Sequence, residues 1–474
     1  MYFLIYKYLA KVLIAYNNSI MLYRKIQDRI ENFITKKRDK ALLVTGARQT
    51  GKTFIIREIG KKYKNFVEIN FFENKEAAKL FENISSASDI LFRLSAITNK
   101  TLVKGETLVF FDEVQEVPNL ITAIKFLVED NSYQYILSGS LLGIELKDIA
   151  SIPVGYMDIY HMYPLDLEEF FIACGIKQEI LTYIRKSYEE KTKIDEIIHE
   201  KLLSLFHLYL IVGGMPEVVN AYLETNNIKD VIETQKGIIE LYRADISKYD
   251  YENKLKIKSI FDLIPGELNN QNKRFILKKL NEKARFKNYE NSFLWLKDAG
   301  VALPMYVVDE PVFPLVLSQN SNLFKLFLCD SGLLSAMYLD GNQLKILQGD
   351  ISINNGAIYE NFIATELCKH GFTPYYLNNR KIGEIDFLIE NNGEICAIES
   401  KSGRDSKHHK ALDNMLSTYG GKGIVLHEGN ICVEDKIIYY PAYLVMFLQK
   451  DEIEDLIFKV DLDSLASLSL ENAE

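Results

Sequence analysis

From about residue 40 to residue 145, short apolar runs alternate with stretches of helical spacing. The runs are Ala41–Thr45, Phe66–Phe71, Leu108–Asp112 and Tyr135–Ser138. Continuous apolar runs separated by helical patterns predict βαβ units and a parallel sheet covered on both faces. From about 160 to 300 the pattern is mostly helical. KLLSLFHLYLIVGGMPEVVNAYLE predicts two helices, parted by Gly213, Gly214 and Pro216. Between about 250 and 340 the pattern predicts a helix-turn-helix with a wing. FILKKLNEK and NSFLWLKDAG would be the helices, and VALPMYVVD and LFKLFLCD the β runs. From about 354 a helix in NGAIYENFIATELCKHG precedes two strands, a further helix and a strand, which reads as a separate α/β unit. Trp295 on its helical pattern reads as packing.

These changes of pattern divide the chain. Residues 1–20 form an extension, 21–175 a P-loop domain, 176–345 a helical region with a winged-helix-like part, and 346–474 a further α/β domain. With 474 residues, two to three domains are expected. The opening MYFLIYKYLAKVLIAY is apolar, but Lys7 and Lys11 interrupt it. It is short for a membrane span, which needs about 20 apolar residues. The expected start of the working fold is near Met21, with MLYRKIQDRIENFI as an amphipathic helix. The alternative is a short N-terminal helix packed on the core or on a membrane surface.

Composition narrows the classes. The chain is 48% hydrophobic and 26% charged, which is a globular balance. A net charge of −9 gives no global basic field, so any nucleic-acid contact must come from a local patch. Five scattered cysteines, with no C-x-x-C pair, point to a reducing compartment, and a cytoplasmic location is the expectation.

GARQTGKT, residues 46–53, has the spacing of a phosphate-binding loop, with an apolar strand before it and a helical stretch after it. Gly46 and Gly51 allow the backbone to wrap N–H groups around phosphates, with Ala47, Arg48, Gln49 and Thr50 supplying the rest of the cradle. Lys52 would reach the β- and γ-phosphates, and Thr53 would offer a hydroxyl to Mg2+. Downstream, TLVFFDEVQ ends a buried strand in two carboxylates. Asp112 would hold the magnesium through water, and Glu113 would act as general base on the attacking water. A third strand, YQYILSGS, ends in Ser138 and Ser140. Either hydroxyl could contact the γ-phosphate or the water, and the residues do not choose between them.

With GARQTGKT, FFDEVQ, SGS and YPLDLEEF in place, the chain resembles a prokaryotic AAA-superfamily ATPase with an uncharacterised C-terminal region. The segments IVGGMPEVV, LYRADISKYD, KLFLCDSGLL and GAIYENFIATEL extend that resemblance from Met21 over nearly the whole chain. It implies ATP and Mg2+ as cofactors, ATP hydrolysis as the activity, and homo-oligomerisation as a feature to expect. Where family members often carry Gly-Arg before the YPL segment, this chain has Gly155-Tyr156. Arg185 and Arg243 are the candidate replacements for that arginine.

The stretch GEIDFLIENNGEICAIESK carries a second constellation. Asn392-Gly393 between apolar runs predicts a type I′ hairpin turn. Pairing outward from that turn puts Asp386 opposite Glu399, with Lys401 on the same face. Ile385, Phe387, Ile389, Cys396 and Ile398 then form an apolar opposite face. Two carboxylates and an amine suit a metal-dependent phosphodiester hydrolase. The arrangement resembles the PD-(D/E)XK nuclease fold, although Ile385 stands where that motif has proline. The resemblance implies Glu360 as a further metal ligand beside Asp386 and Glu399, Lys401 as a catalytic residue, and Mg2+ or Mn2+ at the site. Arg404, Lys407, His408, His409 and Lys410 form a basic cluster able to meet a nucleic-acid backbone. The expected activity is an ATPase coupled to a nuclease-like domain that acts on or binds DNA. The alternative is a nucleotide-dependent switch whose C-terminal domain binds nucleic acid or protein without cutting.

Overall fold

The computed structural model describes residues 21–36, 39–81, 84, 86–98, 102–140, 155–247, 251–270, 273–282, 285–339, 341–348, 356–402 and 409–451. The N-terminal extension and Arg404, Lys407 and His408 of the basic cluster therefore lie outside the described residues.

The four anticipated apolar runs are strands of one parallel sheet: β1 (Ala41–Thr45), β2 (Asn65–Asn70), β3 (Thr107–Asp112) and β4 (Gln134–Gly139). The order is β2-β3-β4-β1-β5. The fifth strand, β5 (Met157–His161), pairs with β1 from Ala41↔Met157 to Thr45↔His161. Its polar Asp158 and exposed Ile159 hide it from a search for apolar runs. Side chains alternate across the sheet, and both faces are covered. Leu43, Val109 and Leu137 pack with α3 (Pro118–Asp130), and Leu42, Val44, Phe110 and Ile136 pack with α1 (Lys25–Thr35) and α2 (Lys52–Gly60). This double burial explains why these strands read as unbroken apolar runs.

The helical region contains α4 (Glu196–Val212) and α5 (Pro216–Thr225), parted where expected. The break is also a docking point. Gly214 N–H donates to Asp330 Oδ2 at 2.6 Å, and Leu165 N–H donates to the Gly214 carbonyl at 2.7 Å. A Cβ on Gly214 would fall 2.1 Å from the Leu165 oxygen, so a side chain has no room. Next come α6 (Ile228–Ser247), α7 (Tyr251–Leu268) and α8 (Glu290–Asp298). The helix expected over FILKKLNEK is absent: Leu277–Lys279 forms a single 3-10 turn. Phe275 N–H bonds instead to the Phe324 carbonyl at 3.0 Å, and its ring stacks among Phe293 and Phe324. Tertiary packing of one aromatic thus overrides a short helical pattern. Trp295 is buried, as its helical setting implied.

The β runs after α8 do not stand apart as a wing. β6 (Ala302–Val308) and β7 (Gln319–Leu328) pair antiparallel, and β6 then pairs parallel with β8 (Tyr375–Asn379) at Val307↔Tyr376. Together with β9 (Gly383–Asn391), β10 (Glu394–Ser400), β11 (Lys422–His427), β12 (Cys432–Glu434) and β13 (Ile437–Pro441) they form one mixed sheet. Its order is β12-β13-β11-β10-β9-β8-β6-β7. Strands from before and after residue 345 therefore share one sheet. α9 (Gly356–Lys369) covers one face and α10 (Lys410–Tyr419) the other. The core under α9 is continuous with that of the helical region, joining Phe206 and Leu210 to Phe362 and Phe387.

Candidate functional site

The loop between β1 and α2 has the backbone that its glycines allow. Gly46 and Gly51 have φ of 139° and 94°, and Gln49 is left-handed at 66°. Two neighbours approach it too closely for side chains. A Cβ on Gly46 would lie 2.2 Å from the Met162 oxygen, and one on Gly300 would lie 2.9 Å from Ala47 N. The loop is thus clasped between the end of β5 and the turn that follows α8.

Inside the loop, the buried Lys52 ammonium donates to the carbonyls of Gly46 and Ala47 at 2.9 and 2.8 Å. Burial pulls its pKa down to about 8, against the opposing pull of Glu113 and Asp112, and the Arg48 charge adds to the lowering. The Thr50 hydroxyl closes the turn on the Ala47 carbonyl at 2.9 Å. Thr53 donates to Asp112 at 3.2 and 3.0 Å, Asn70 Nδ2 donates to the same carboxylate at 2.9 Å, and the Ser138 hydroxyl donates to it as well. Burial pushes the Asp112 carboxyl above its usual range; the Ser138 hydrogen bond opposes the rise and the Glu113 charge adds to it. A hydroxyl beside a buried carboxylate suits a hard cation with oxygen ligands, so Thr53 and Asp112 fit Mg2+.

Glu113 has left-handed backbone, φ 56°, at the end of β3, which turns it away from the strand. Its carboxylate accepts from Gln115 Nε2, while Gln115 Oε1 is buried and has no hydrogen-bond partner among the described residues. Ser138 and Ser140 part company here. Ser138 belongs to Asp112, whereas Ser140 Oγ lies 3.3 Å from Arg48 Nε. Arg185 and Arg243 do not reach the loop. The first pairs with Glu168 at 2.8 Å and lies over the Phe447 ring, and the second pairs with Asp262 and Glu240. A different arginine does reach it. Arg24 donates to the Thr50 carbonyl at 2.9 Å and to the Tyr163 carbonyl at 2.6 Å, and pairs with Glu169 at 3.1 Å. Nothing local in the sequence marks Arg24, because each of its partners is distant along the chain.

The C-terminal hairpin has the anticipated register. Asn391 pairs with Glu394, and the ladder runs to Phe387↔Ile398, so Asp386 and Glu399 are the next positions. Asn392 and Gly393 have φ of 49° and 73°, as a type I′ turn requires. The faces differ from expectation at one residue. Between the pairs Leu377↔Ile385 and Tyr375↔Leu388, β9 has two residues, Asp386 and Phe387, where β8 has one, Tyr376, so the pleat slips near Asp386. Ile385 consequently joins Leu388 and Ala397 against α10, while Phe387, Ile389, Cys396 and Ile398 face α9. Both faces are packed, and the charges sit at the end of a buried hairpin.

There Glu360, Asp386 and Glu399 act on one another. Burial raises the Glu399 pKa to about 8, with the Asp386 charge adding, and burial with Asp386 likewise raises Glu360. Lysines neutralise them. Lys273 pairs with Glu360; the fully buried Lys325 lies 3.5 Å from Glu360 and 3.1 Å from Glu384; Lys401 lies 3.3 Å from Glu399. Burial pulls Lys325 down, but Glu360, Asp386 and Glu384 outweigh it and hold the ammonium above its ordinary range. Among the described residues no group of three or more His, Cys, Asp or Glu side chains is placed to hold a metal ion. In this arrangement Glu360 and Glu399 carry lysine counter-charges. Of the basic cluster, His409 is buried and lies 3.0 Å from the Tyr439 hydroxyl, and Lys410 is exposed at the start of α10.

No helix among the described residues is long and apolar enough to cross a membrane. Residues 38–171 match the family model described as an AAA domain. Residues 203–345 match a domain of unknown function (DUF8612), and residues 355–444 another (DUF4143). No curated protein matches the chain. Among solved structures, the Walker-type ATPase PABY2304 of Pyrococcus abyssi is 14% identical, with 67% of this chain and 96% of that one covered at a TM-score of 0.42. The Thermotoga maritima RuvB Holliday junction branch migration motor is 13% identical, with 60% and 89% covered at 0.26. Cdc6p from Pyrobaculum aerophilum is 14% identical, with 66% and 88% covered at 0.22. The family match and the loop geometry agree: residues 38–171 match an AAA domain and form a parallel-sheet P-loop fold.

Proposed function

We propose that this chain hydrolyses ATP at the loop 46–53 and uses the nucleotide cycle to switch a C-terminal module that binds a partner without cutting it. The observation that carries the ATPase half is the convergence of Thr53, Asn70 and Ser138 on Asp112, with Glu113 turned out beside it. Mg2+, held by Thr53 and Asp112, neutralises phosphate charge when bound. Lys52 leaves its loop carbonyls for the β- and γ-phosphate oxygens. Glu113 accepts the proton of the attacking water, and Gln115 orients the Glu113 carboxylate. Ser138 fixes Asp112, and Ser140 keeps its hydroxyl at the far edge of the site with Arg48. Binding of Lys52→Ala and wild type to a fluorescent ATP analogue tests this half. Equal affinity would sink it.

The non-cutting reading of the C-terminal module rests on the pairing of Glu360 with both Lys273 and Lys325. The second reading, a metal-dependent nuclease acting on DNA, is favoured by the mutual repulsion of Glu360, Asp386 and Glu399, which a cation would relieve if Lys273 withdrew. Incubation of the full chain with single- and double-stranded DNA and RNA, ATP, and Mg2+ or Mn2+ separates the two. Intact substrates support the switch. Cleavage by wild type that Glu399→Ala abolishes establishes the nuclease.

A further inference from the structure

Arg48 sits inside the phosphate loop, yet α6 holds it from outside the AAA-type domain. Its guanidinium pairs with Asp245, and the Tyr242 hydroxyl, one turn earlier on α6, donates to the Arg48 carbonyl at 3.1 Å. The Asp245 side chain is only 9% exposed, so water does little to replace that pairing. The guanidinium also lies 3.3 Å from Ser140 Oγ, at the end of the strand beside β1. The Arg48 charge also acts on Lys52, the amine that the loop aims at the β- and γ-phosphates.

We infer that Arg48 is a ligand of the terminal phosphate of ATP and that Asp245 competes with that phosphate for it. This rests on the nucleotide reading above and adds a specificity to it. A γ-phosphate offers several charged oxygens in the geometry that a guanidinium matches, and ADP offers none at that end of the loop. ATP therefore breaks the Arg48–Asp245 pair and ADP leaves it made. The bond exchange frees the last turn of α6, the helix that leads through α7 to Lys273 on Glu360. A ligand shifts such an equilibrium only by its difference in affinity for the two states, so the latch must appear as an ATP-to-ADP preference.

The test measures affinities of the full chain for a non-hydrolysable fluorescent ATP analogue and for fluorescent ADP. Removing the competitor in Asp245→Asn is expected to raise the ATP-to-ADP affinity ratio about tenfold, and Arg48→Gln to lower it by about as much. The double variant is expected to behave as Arg48→Gln, since Asp245 acts only through Arg48. Hydrogen exchange on wild type needs no substitution: the last turn of α6 should exchange faster with the ATP analogue than with ADP. An unchanged ratio in Asp245→Asn, or equal exchange with the two nucleotides, overturns the latch while wild type still binds both. If wild type binds neither nucleotide, the ATPase reading itself fails and the latch fails with it.

Discussion

The Thr53 hydroxyl donates to both oxygens of Asp112, across the gap between the phosphate loop and the end of β3. The two residues are 59 positions apart in sequence, and parallel pairing of the strands brings them together. Asp112→Asn keeps the size of the side chain but removes the charge that suits Mg2+ and one of the two acceptor oxygens. ATP turnover should fall on the order of a hundredfold, with a smaller loss in Mg2+-free nucleotide binding. Steady-state hydrolysis beside binding in excess chelator reads both.

Lys52 gives the site a pH dependence. Its pKa is about 8 in the free loop, and bound phosphate must raise it. Below about pH 8 the ammonium is already charged, and binding takes up no proton. Above that value binding takes up a proton, so affinity should fall by up to about tenfold per pH unit. Calorimetry at alkaline pH in two buffers of different ionisation enthalpy measures the uptake. Identical heats in both would contradict it.

Gly300 has φ 70° and faces Ala47 N across a distance that leaves no room for a methyl group. Gly300→Ala should destabilise the fold by about 1–3 kcal/mol. Because the strain falls on the loop, ATP affinity should drop as well. Denaturant unfolding with and without nucleotide checks both effects.

Lys325 is fully buried between Glu360 and Glu384. Lys325→Met leaves Glu360 with less compensation, and the loss should be on the order of 3–5 kcal/mol at neutral pH. The folded-state pKa of Glu360 is already raised, so the stability it contributes is present at acid pH and lost as pH rises through that value. The deficit of the variant should therefore shrink towards acid pH and grow towards alkaline pH. A deficit independent of pH would show that Glu360 is not the group affected.

The strands of the ATPase sheet were legible because both faces are buried, which makes the runs continuous. The hairpin register was legible because Asn392-Gly393 suits only a narrow set of turns. The slip at Asp386 was not, since it arises from pairing with β8, whose register no local signal sets. Lys325 did leave a trace, as a lone lysine in the apolar run LFKLFL, but a solvent-facing lysine gives the same trace. Its partner Glu360 lies 35 residues away, and the Arg48 partner Asp245 lies 197 away. Contacts of that kind follow from how the sheets and helices pack and are invisible to periodicity.

Glu113 is the residue on which hydrolysis, as distinct from binding, depends in this account. The direct measurement is single-turnover hydrolysis of Mg2+-ATP by wild type and Glu113→Gln, with nucleotide affinity determined on the same samples. The account predicts near-equal affinity and a rate lowered on the order of 10²–10⁴-fold in the variant. Equal hydrolysis rates at equal affinity would contradict it.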